Sequence, residues 1–188
     1  DTWKSRGLGD VYKRQVFSEP PLQRQLDLTR LLFPEARVAL MVSEEAPVWV
    51  ISEIKHLQGD DFTVFAKKPE DSLNRALKET LAEHDVLLGT VDSGIYNPST
   101  IKNILITAYR QNIPLIGPHQ AYIRAGSIAT TYSSLADTVK RLAEIIEAET
   151  LPKPGYNPYF SVTVNEQVAR SLDILLPADT AELTSQLR

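Results

Sequence analysis

Two rhythms alternate along this chain: short, nearly continuous apolar runs, and longer stretches in which apolar residues return every three or four positions. The first suits strands buried on both faces and the second suits amphipathic helices. "LQRQLDLTRLLF" (22–33) reads as a helix, with Ser18 and Glu19 upstream and Pro34 ending it. "ARVALMV" (36–42) is a buried strand, and "PVWVISEIKHL" (47–57) a helix opening at Pro47. "FTVFAKK" (62–68) alternates as a strand, and "PEDSLNRALKETLAEH" (69–84) places Leu73, Ala76, Leu77 and Leu81 on one helical face. "DVLLGTV" (85–91) is a third strand, followed by a helix with Ile101, Ile104, Leu105 and Ala108 at i, i+3, i+4 and i+7. "IPLIGP" (113–118) and "GSIATTYS" (126–133) are further strands. "LADTVKRLAEIIEAE" (135–149) repeats the helical spacing at Val139, Leu142, Ala143 and Ile146. A Pro- and Gly-rich loop, "TLPKPGYNP", leads to the strand "YFSVTV" and a helix from Asn165 through "EQVARSLDILL".

Strands separated by helices predict an α/β fold: a parallel sheet with helices on both faces, a three-layer α/β/α arrangement of the Rossmann-like kind. Ligands of such open sheets bind beyond the carboxyl ends of the strands. Those ends here are Ser43-Glu44-Glu45, Lys67-Lys68, Asp92-Ser93-Gly94 and Pro118-His119-Gln120.

Composition narrows the functional classes. With 43% hydrophobic residues the 188-residue chain can bury a real core, and no apolar run is long enough to span a bilayer. A net charge of −4 without basic clusters speaks against a nucleic-acid partner. The absence of cysteine excludes disulfides, thiolate metal sites and cysteine nucleophiles. Neither G-x-G-x-x-G after a strand nor a P-loop occurs, so no nucleotide cofactor is expected.

The start of the chain is unusual. Residues 5–15, SRGLGDVYKRQ, match in one frame the translation of a transposon-end adapter used in preparing sequencing libraries. We set residues 1–15 aside from fold reasoning as adapter-derived, and take 16–188 as the α/β part, with a C-terminal strand and helix. Without the leader's four basic and two acidic residues, the rest carries 16 basic and 22 acidic side chains.

Several residues could carry chemistry, each with a plainer alternative. Asp92 and Ser93 could bond a ligand, or Asp92 could hold nearby amides in an Asx turn while Ser99 or Thr100 caps the next helix. Tyr96 and Asn97 offer a ring face and an amide, or form a surface turn. Glu44 and Glu45 could hold a ligand amine, or be a solvated loop. His119 would need a nucleophile or metal partner to act as a base, and His56, His84 and His119 fall on different elements without ligand spacing, so no metal site is expected. Lys67 and Lys68 read as a solvated strand end, and Trp49 as packing.

The order of the blocks from about 18 to 177 resembles the C-terminal lobe of substrate-binding proteins of ABC transporters, the group that includes tryptophan and tyrosine binders. The matching pieces are "SEPPLQRQLDLTRLLFPEARVALMVSEE", "LAEHDVLLGTVDSGIYNPSTIKNILITAYRQNIPLIG", "AYIRAGSIATTYSS" and "FSVTVNEQVARSLDILLP". The resemblance implies a type I periplasmic binding protein fold, two α/β lobes closing on a solute, with most of the first lobe missing from this chain. It implies polar contacts from Asp92 and Ser93, with Tyr96 and Asn97 beside them, and comparable lips at Ser43 and Glu44 and at Gln120 and Tyr122. It also implies a small polar solute, such as an amino acid, and delivery to a membrane permease from a periplasmic or lipid-anchored extracytoplasmic position. It implies no cofactor, no catalysis and no insertion of this piece into the membrane. Two alternatives stand beside it: an effector domain of a regulatory protein with the same fold, and a small α/β enzyme using Asp92 with His119.

Overall fold

Successive residues of each central strand serve different cores. Val38 and Leu40, Val86 and Leu88, and Ile116 enter one buried cluster; Ala39 and Met41, Leu87, and Leu115 enter another. This alternation makes the chain a three-layer molecule, because each face of the pleat needs its own cover. In the computed structural model the described residues are 16–17, 19–148, 155–177 and 179–187. The adapter-like stretch 1–15, Ser18, and 149–154 of the Pro- and Gly-rich loop lie outside them.

The elements run β1 (Val16–Phe17), α1 (Leu22–Leu32), β2 (Val38–Ser43), α2 (Val48–His56), β3 (Phe62–Lys67), α3 (Leu73–Leu81), β4 (Val86–Leu88), α4 (Ile101–Tyr109), β5 (Leu115–Ile116), α5 (Ala121–Ala125), β6 (Ala129–Tyr132), α6 (Leu135–Glu147), β7 (Gly155–Tyr156), β8 (Ser161–Val164), α7 (Glu166–Ser171) and α8 (Thr180–Gln186). The main sheet has the order β3-β2-β4-β5-β6-β8, and a separate pair joins β1 to β7 in parallel. The α1 leucines Leu22, Leu26, Leu28 and Leu32 fill one face, joined by α7 and by Leu183 of α8. Residues Ala76, Leu77 and Leu81 of α3 and Ile104, Leu105 and Ala108 of α4 fill the other. The α/β, mainly parallel sheet expected from the sequence is present, and its helices cover both faces.

Three details depart from the sequence expectation. The last strand, β8, pairs antiparallel with β6, with Ala129 opposite Val164 and Tyr132 opposite Ser161. The chain leaves β6 beyond one end of the sheet, passes through α6 and β7, and re-enters at that same end, so the strand must run backwards. The helix after Asn165 stops at Ser171 rather than continuing through 176, as Asp173 takes a left-handed φ of 55°. Finally, α6 has the expected apolar stripe but buries none of its residues: Leu135 and Ile146 are each 81% exposed. A capping box between Ser134 and Asp137 secures its start. Lys140 lies over the ring of Tyr159, whose hydroxyl bonds Glu144.

Gln25, 1% exposed on α1, fixes the helix to the carboxyl ends of β5 and β6. Its Nε2 donates to the Gly117 carbonyl and to Thr130 Oγ1, both at 2.7 Å; its Oε1 accepts from the Thr131 amide at 2.9 Å and from Thr131 Oγ1 at 3.0 Å. A buried amide with every partner supplied is stabilising, and removing it strands those partners away from water. Gln25→Leu is expected to lower the unfolding free energy by about 2–4 kcal/mol. Urea denaturation checks this, and a loss below about 0.5 kcal/mol would show that the network does not hold α1 in place.

Candidate ligand-binding site at the carboxyl edge of the sheet

The strand order changes direction at β2 and β4. From β2 the chain goes outward to β3; from β4 it goes the other way to β5 and β6. The connections diverge accordingly, with Ile54 of α2 packing on one core and the residues of α4 on the other. A crevice at such a divergence is the usual place for a ligand in an open α/β sheet. The loops that border it follow Ser43 and Leu88.

One carboxylate joins those loops. Asp92 is 1% exposed, and its Oδ2 accepts from the Ser43 amide at 2.6 Å. Its Oδ1 accepts from Ser43 Oγ at 3.1 Å and from the Gly94 amide at 2.9 Å. The bond to Gly94 is the Asx-type turn named as an alternative; the bonds to Ser43 are long-range, between residues 49 apart in sequence. Strand β4 ends earlier than its apolar run, which frees residues 89–91 to carry Asp92 across to β2. Gly94 is required by closeness: a Cβ there would lie 2.7 Å from Ser43 Oγ and 3.1 Å from Asp92 Oδ1.

Beyond Gly94 the loop turns inward and then starts α4. Ile95 and Tyr96 are buried in the core under α4. The Tyr96 hydroxyl has no hydrogen-bond partner of ordinary geometry, and burial beside Asp92 pushes its pKa far up. Neither Ser99 nor Thr100 caps α4 with its side chain; Asn97 holds the turn ahead of it, its Oδ1 accepting from the Ser99 and Thr100 amides at 2.9 and 3.2 Å and its carbonyl from the Ile101 amide at 3.0 Å. Its Nδ2 donates to the Ser93 carbonyl at 2.9 Å. Thr100 Oγ1 instead donates back to the Ile95 carbonyl.

Facing this turn is α5, whose five residues are too few for a periodic signal. Tyr122 Oη donates to the Tyr96 carbonyl at 2.8 Å, tying α5 to the β4–α4 loop. The His119 ring meets that of Tyr122 edge-on, with centroids 4.7 Å apart. Half-buried, His119 has its pKa lowered by desolvation, partly opposed by the charge of Glu19. Between the two segments lies an open cleft of about 440 Å³, floored by Tyr96, Ile101 and Tyr122 and rimmed by Ser93, Asn97 and His119.

The eight expected contact residues thus divide. Ser93, Tyr96, Asn97 and Tyr122 line one cleft, while Ser43 and Asp92 form the brace next to it. Glu44 is exposed on the turn after β2, away from the cleft lining, and Gln120 borders a different depression with Ile123, Arg124 and Thr163. Ile101, Ala121 and Ala125 line the cleft without having been singled out as contacts. Trp49, read as packing, is 44% exposed at the edge of a narrow recess with Thr90, Val91 and Pro118. Asp92 makes no described bond to His119, and no group of three or more His, Asp or Glu among the described residues could hold a metal.

No protein-family model matches this chain, and no curated protein matches it in sequence. Solved structures match its fold. A conserved domain protein from Vibrio cholerae O1 biovar El Tor aligns at 17% identity over 86% of this chain and 58% of its own, with a TM-score of 0.64. An ABC domain from Streptococcus pneumoniae, solved with L-Trp, aligns at 15% identity over 86% and 58%, with a TM-score of 0.65. The ligand-free, open form of CD0873 from Clostridium difficile, a substrate-binding protein with adhesive properties, aligns at 18% identity over 82% and 56%, with a TM-score of 0.65. The chain has the fold of a periplasmic-binding-protein lobe. It spans a little over half the length of each of these structures.

If Asp92 is the brace, its loss must cost stability whether or not a ligand is present. Asp92→Ala is expected to lower the melting temperature by about 4–10 °C, from roughly 2–3 kcal/mol in a chain of this size. The exposed neighbour change Ser93→Ala should move it by less than about 1 °C. Equal shifts for the two variants in a calorimetric scan would remove Asp92 from that role.

Proposed function

We propose that this chain is the C-terminal ligand-binding lobe of the solute-binding component of an ABC-type importer. A small polar solute, an amino acid or a related compound, binds at the carboxyl edge of the sheet and is delivered to a membrane permease. The observation that carries this reading is the cleft itself: a preformed hollow at the β4–β5 edge, next to the divergence of β2 and β4, held open by internal bonds. Pre-organised loops of this kind bind without first spending solute affinity on their own ordering. The fold neighbours support it, since two are described as an ABC domain bound to L-Trp and as a substrate-binding protein.

An enzymatic reading finds less support. The carboxylate that would serve as acid or base is buried and bonded to Ser43 and Gly94, and His119 packs edge-on against the Tyr122 ring with no described bond to Asp92. Binding followed by lobe closure needs neither group to react. Ser93, Tyr96, Asn97 and Tyr122 are the proposed contacts of this lobe, with Ser43 and Asp92 shaping the neighbouring lip. In this reading the protein works outside the cytoplasm, in the periplasm or anchored by lipid. Among the described residues no helix is long and apolar enough to cross a membrane.

A thermal-shift screen of the parent protein against amino acids and related small solutes tests the role. At least one solute is expected to raise its melting temperature by about 2 °C or more at saturating concentration. The 188-residue chain alone is expected to bind that solute with a Kd no tighter than about 100 μM, because half of a two-lobed cleft contributes correspondingly less. Low-micromolar binding by the 188-residue chain would contradict closure between lobes, and a screen without any positive solute would contradict the binding role.

A further inference from the structure

Helices α3 and α4 lie side by side on one face of the sheet and leave a groove of about 640 Å³ between their outer surfaces. Strands β3, β4 and β5 are mutually parallel, so the two connecting helices run in the same direction. Asn103 Nδ2 donates to Asn74 Oδ1 at 2.6 Å, which closes the groove at their amino-terminal ends. Beyond that bond α3 lines it with Lys78 and Ala82, at i+4 and i+8 from Asn74. From α4 come Ile106 and Arg110, at i+3 and i+7 from Asn103. Ile106 is 42% exposed, while Ile104 and Leu105 beside it are buried. The two cations are unspent. Among the described residues neither Lys78 nor Arg110 joins an ion pair or a side-chain hydrogen bond, whereas Arg75 nearby is held by Glu79 at 3.0 Å and Asp71 at 4.0 Å. A position near the carboxyl end of a helix suits each of them, but supplies no carboxylate to pair with it. Over residues 101–110 the chain carries Lys102 and Arg110 and no acid, although acidic residues outnumber basic ones 24 to 20 overall.

We propose that the α3–α4 groove is a docking surface for a helix of another protein that presents carboxylates beside an apolar residue. Two helices running side by side leave a trough into which the ridge of a third can settle. The α3 wall extends from Asn74 to Ala82, about 12 Å at the helical rise, which is roughly two turns of a guest helix. Ile106 offers the apolar contact in the α4 wall, and Lys78 and Arg110 offer one charge from each side. A carboxylate meeting either cation gains a partner without breaking an internal ion pair, and the charges fix which way round the guest lies. A small anion would leave Ile106 uncovered, and a nucleic acid would meet a chain of net charge −4. The groove shares no lining residue with the cleft at the carboxyl edge, so the inference stands apart from the solute-binding reading.

The test uses the 15N-labelled 188-residue protein and two capped helical peptides of about 15 residues. Both are built on alanine with leucines along one face; the first carries glutamates beside the leucines and the second carries lysines there. The glutamate peptide is expected to shift the amide resonances of Lys78, Ala82, Asn103, Ile106 and Arg110 in a saturable way, with a Kd on the order of 0.1–1 mM. The lysine peptide should leave them within error. Reversing both charges, with Lys78→Glu and Arg110→Glu together, should weaken the glutamate peptide at least about tenfold and make the lysine peptide the better binder. Should that double variant lose its far-UV circular dichroism spectrum, Ile106→Ala serves in its place and should weaken the glutamate peptide at least about threefold. Equal responses to the two peptides would overturn the inference, as would no response to the glutamate peptide or an unchanged affinity in the charge-reversed protein. Free glutamate giving the same shifts at equal carboxylate concentration would overturn it in favour of a simple anion site. Stronger shifts of these amides with phosphatidylglycerol vesicles than with the peptide would overturn it in favour of a membrane surface. A failed solute screen leaves it standing, because none of its probes touches the carboxyl-edge cleft.

Discussion

A single buried carboxylate holds the working edge of this molecule together. The loops after β2 and β4 leave the sheet towards opposite faces, and nothing in a parallel ladder joins them once the strands have ended. Asp92 does so with three bonds, two to Ser43 and one to Gly94. Backbone amides aimed at a carboxylate replace the water it loses, and charge-assisted bonds of this kind are stronger than neutral ones. The rest of the loop follows from that anchor. With residue 94 pinned against Ser43, Ile95 and Tyr96 drop into the core, and Asn97 is placed to hold the Ser99 and Thr100 amides just ahead of α4. Tyr122 then closes on the Tyr96 carbonyl, which sets the far wall. The cleft is a consequence of one polar contact propagated through a short stretch of chain.

A second polar contact plays the same part for the sheet. Gln25 bonds the ends of β5 and β6 from α1, so the helix that fills one core also fixes the strands that carry His119 and α5. The two buried polar groups act on different layers, and between them they position the carboxyl edge on both sides of the divergence. Helix α6 contrasts with both. It is well capped and strongly two-sided, yet its stripe of Leu135, Val139, Leu142 and Ile146 is exposed, and no described residue covers it. An amphipathic helix is stable when its apolar face meets something, so α6 is the part of the chain whose local pattern the described fold does not complete.

Much of this was legible in the residues. Buried strands announce themselves by unbroken apolar runs, and "ARVALMV", "DVLLGTV" and "IPLIG" all contribute to the central sheet. Helical spacing found the faces of α3 and α4: Ala76, Leu77 and Leu81, and Ile104, Leu105 and Ala108, are buried where the period places them, with Leu73 and Ile101 partly so. The direction of β8 was not readable, since a short β-rich run looks the same whichever way it pairs. Nor was α5, whose five residues complete little more than one turn. The candidate contacts were expected at the end of β4, where a cleft does lie, but the orientation of their side chains was not readable. An aspartate at a strand end reads the same whether it faces solvent or, as here, reaches 49 residues back to Ser43. Asn97 was weighed as a contact or a surface turn; its side chain holds the turn ahead of α4, whose N-cap Thr100 makes no side-chain cap bond.

That inward turn of the polar groups decides what the cleft can recognise. A site lined by free carboxylates or amides selects by matching charge and hydrogen bonds. Here Asp92 is spent on Ser43 and Gly94, Asn97 on the turn from Ser93 to Thr100, and the Tyr122 hydroxyl on the Tyr96 carbonyl. What remains along the cleft among the described residues is the Tyr122 and His119 rings, Pro98, Ile101 and two alanines, with Ser93 at the rim. A charged group placed against such a surface would give up its hydration without replacement. The internal bonding that makes the loops rigid is therefore also what makes their outer surface apolar.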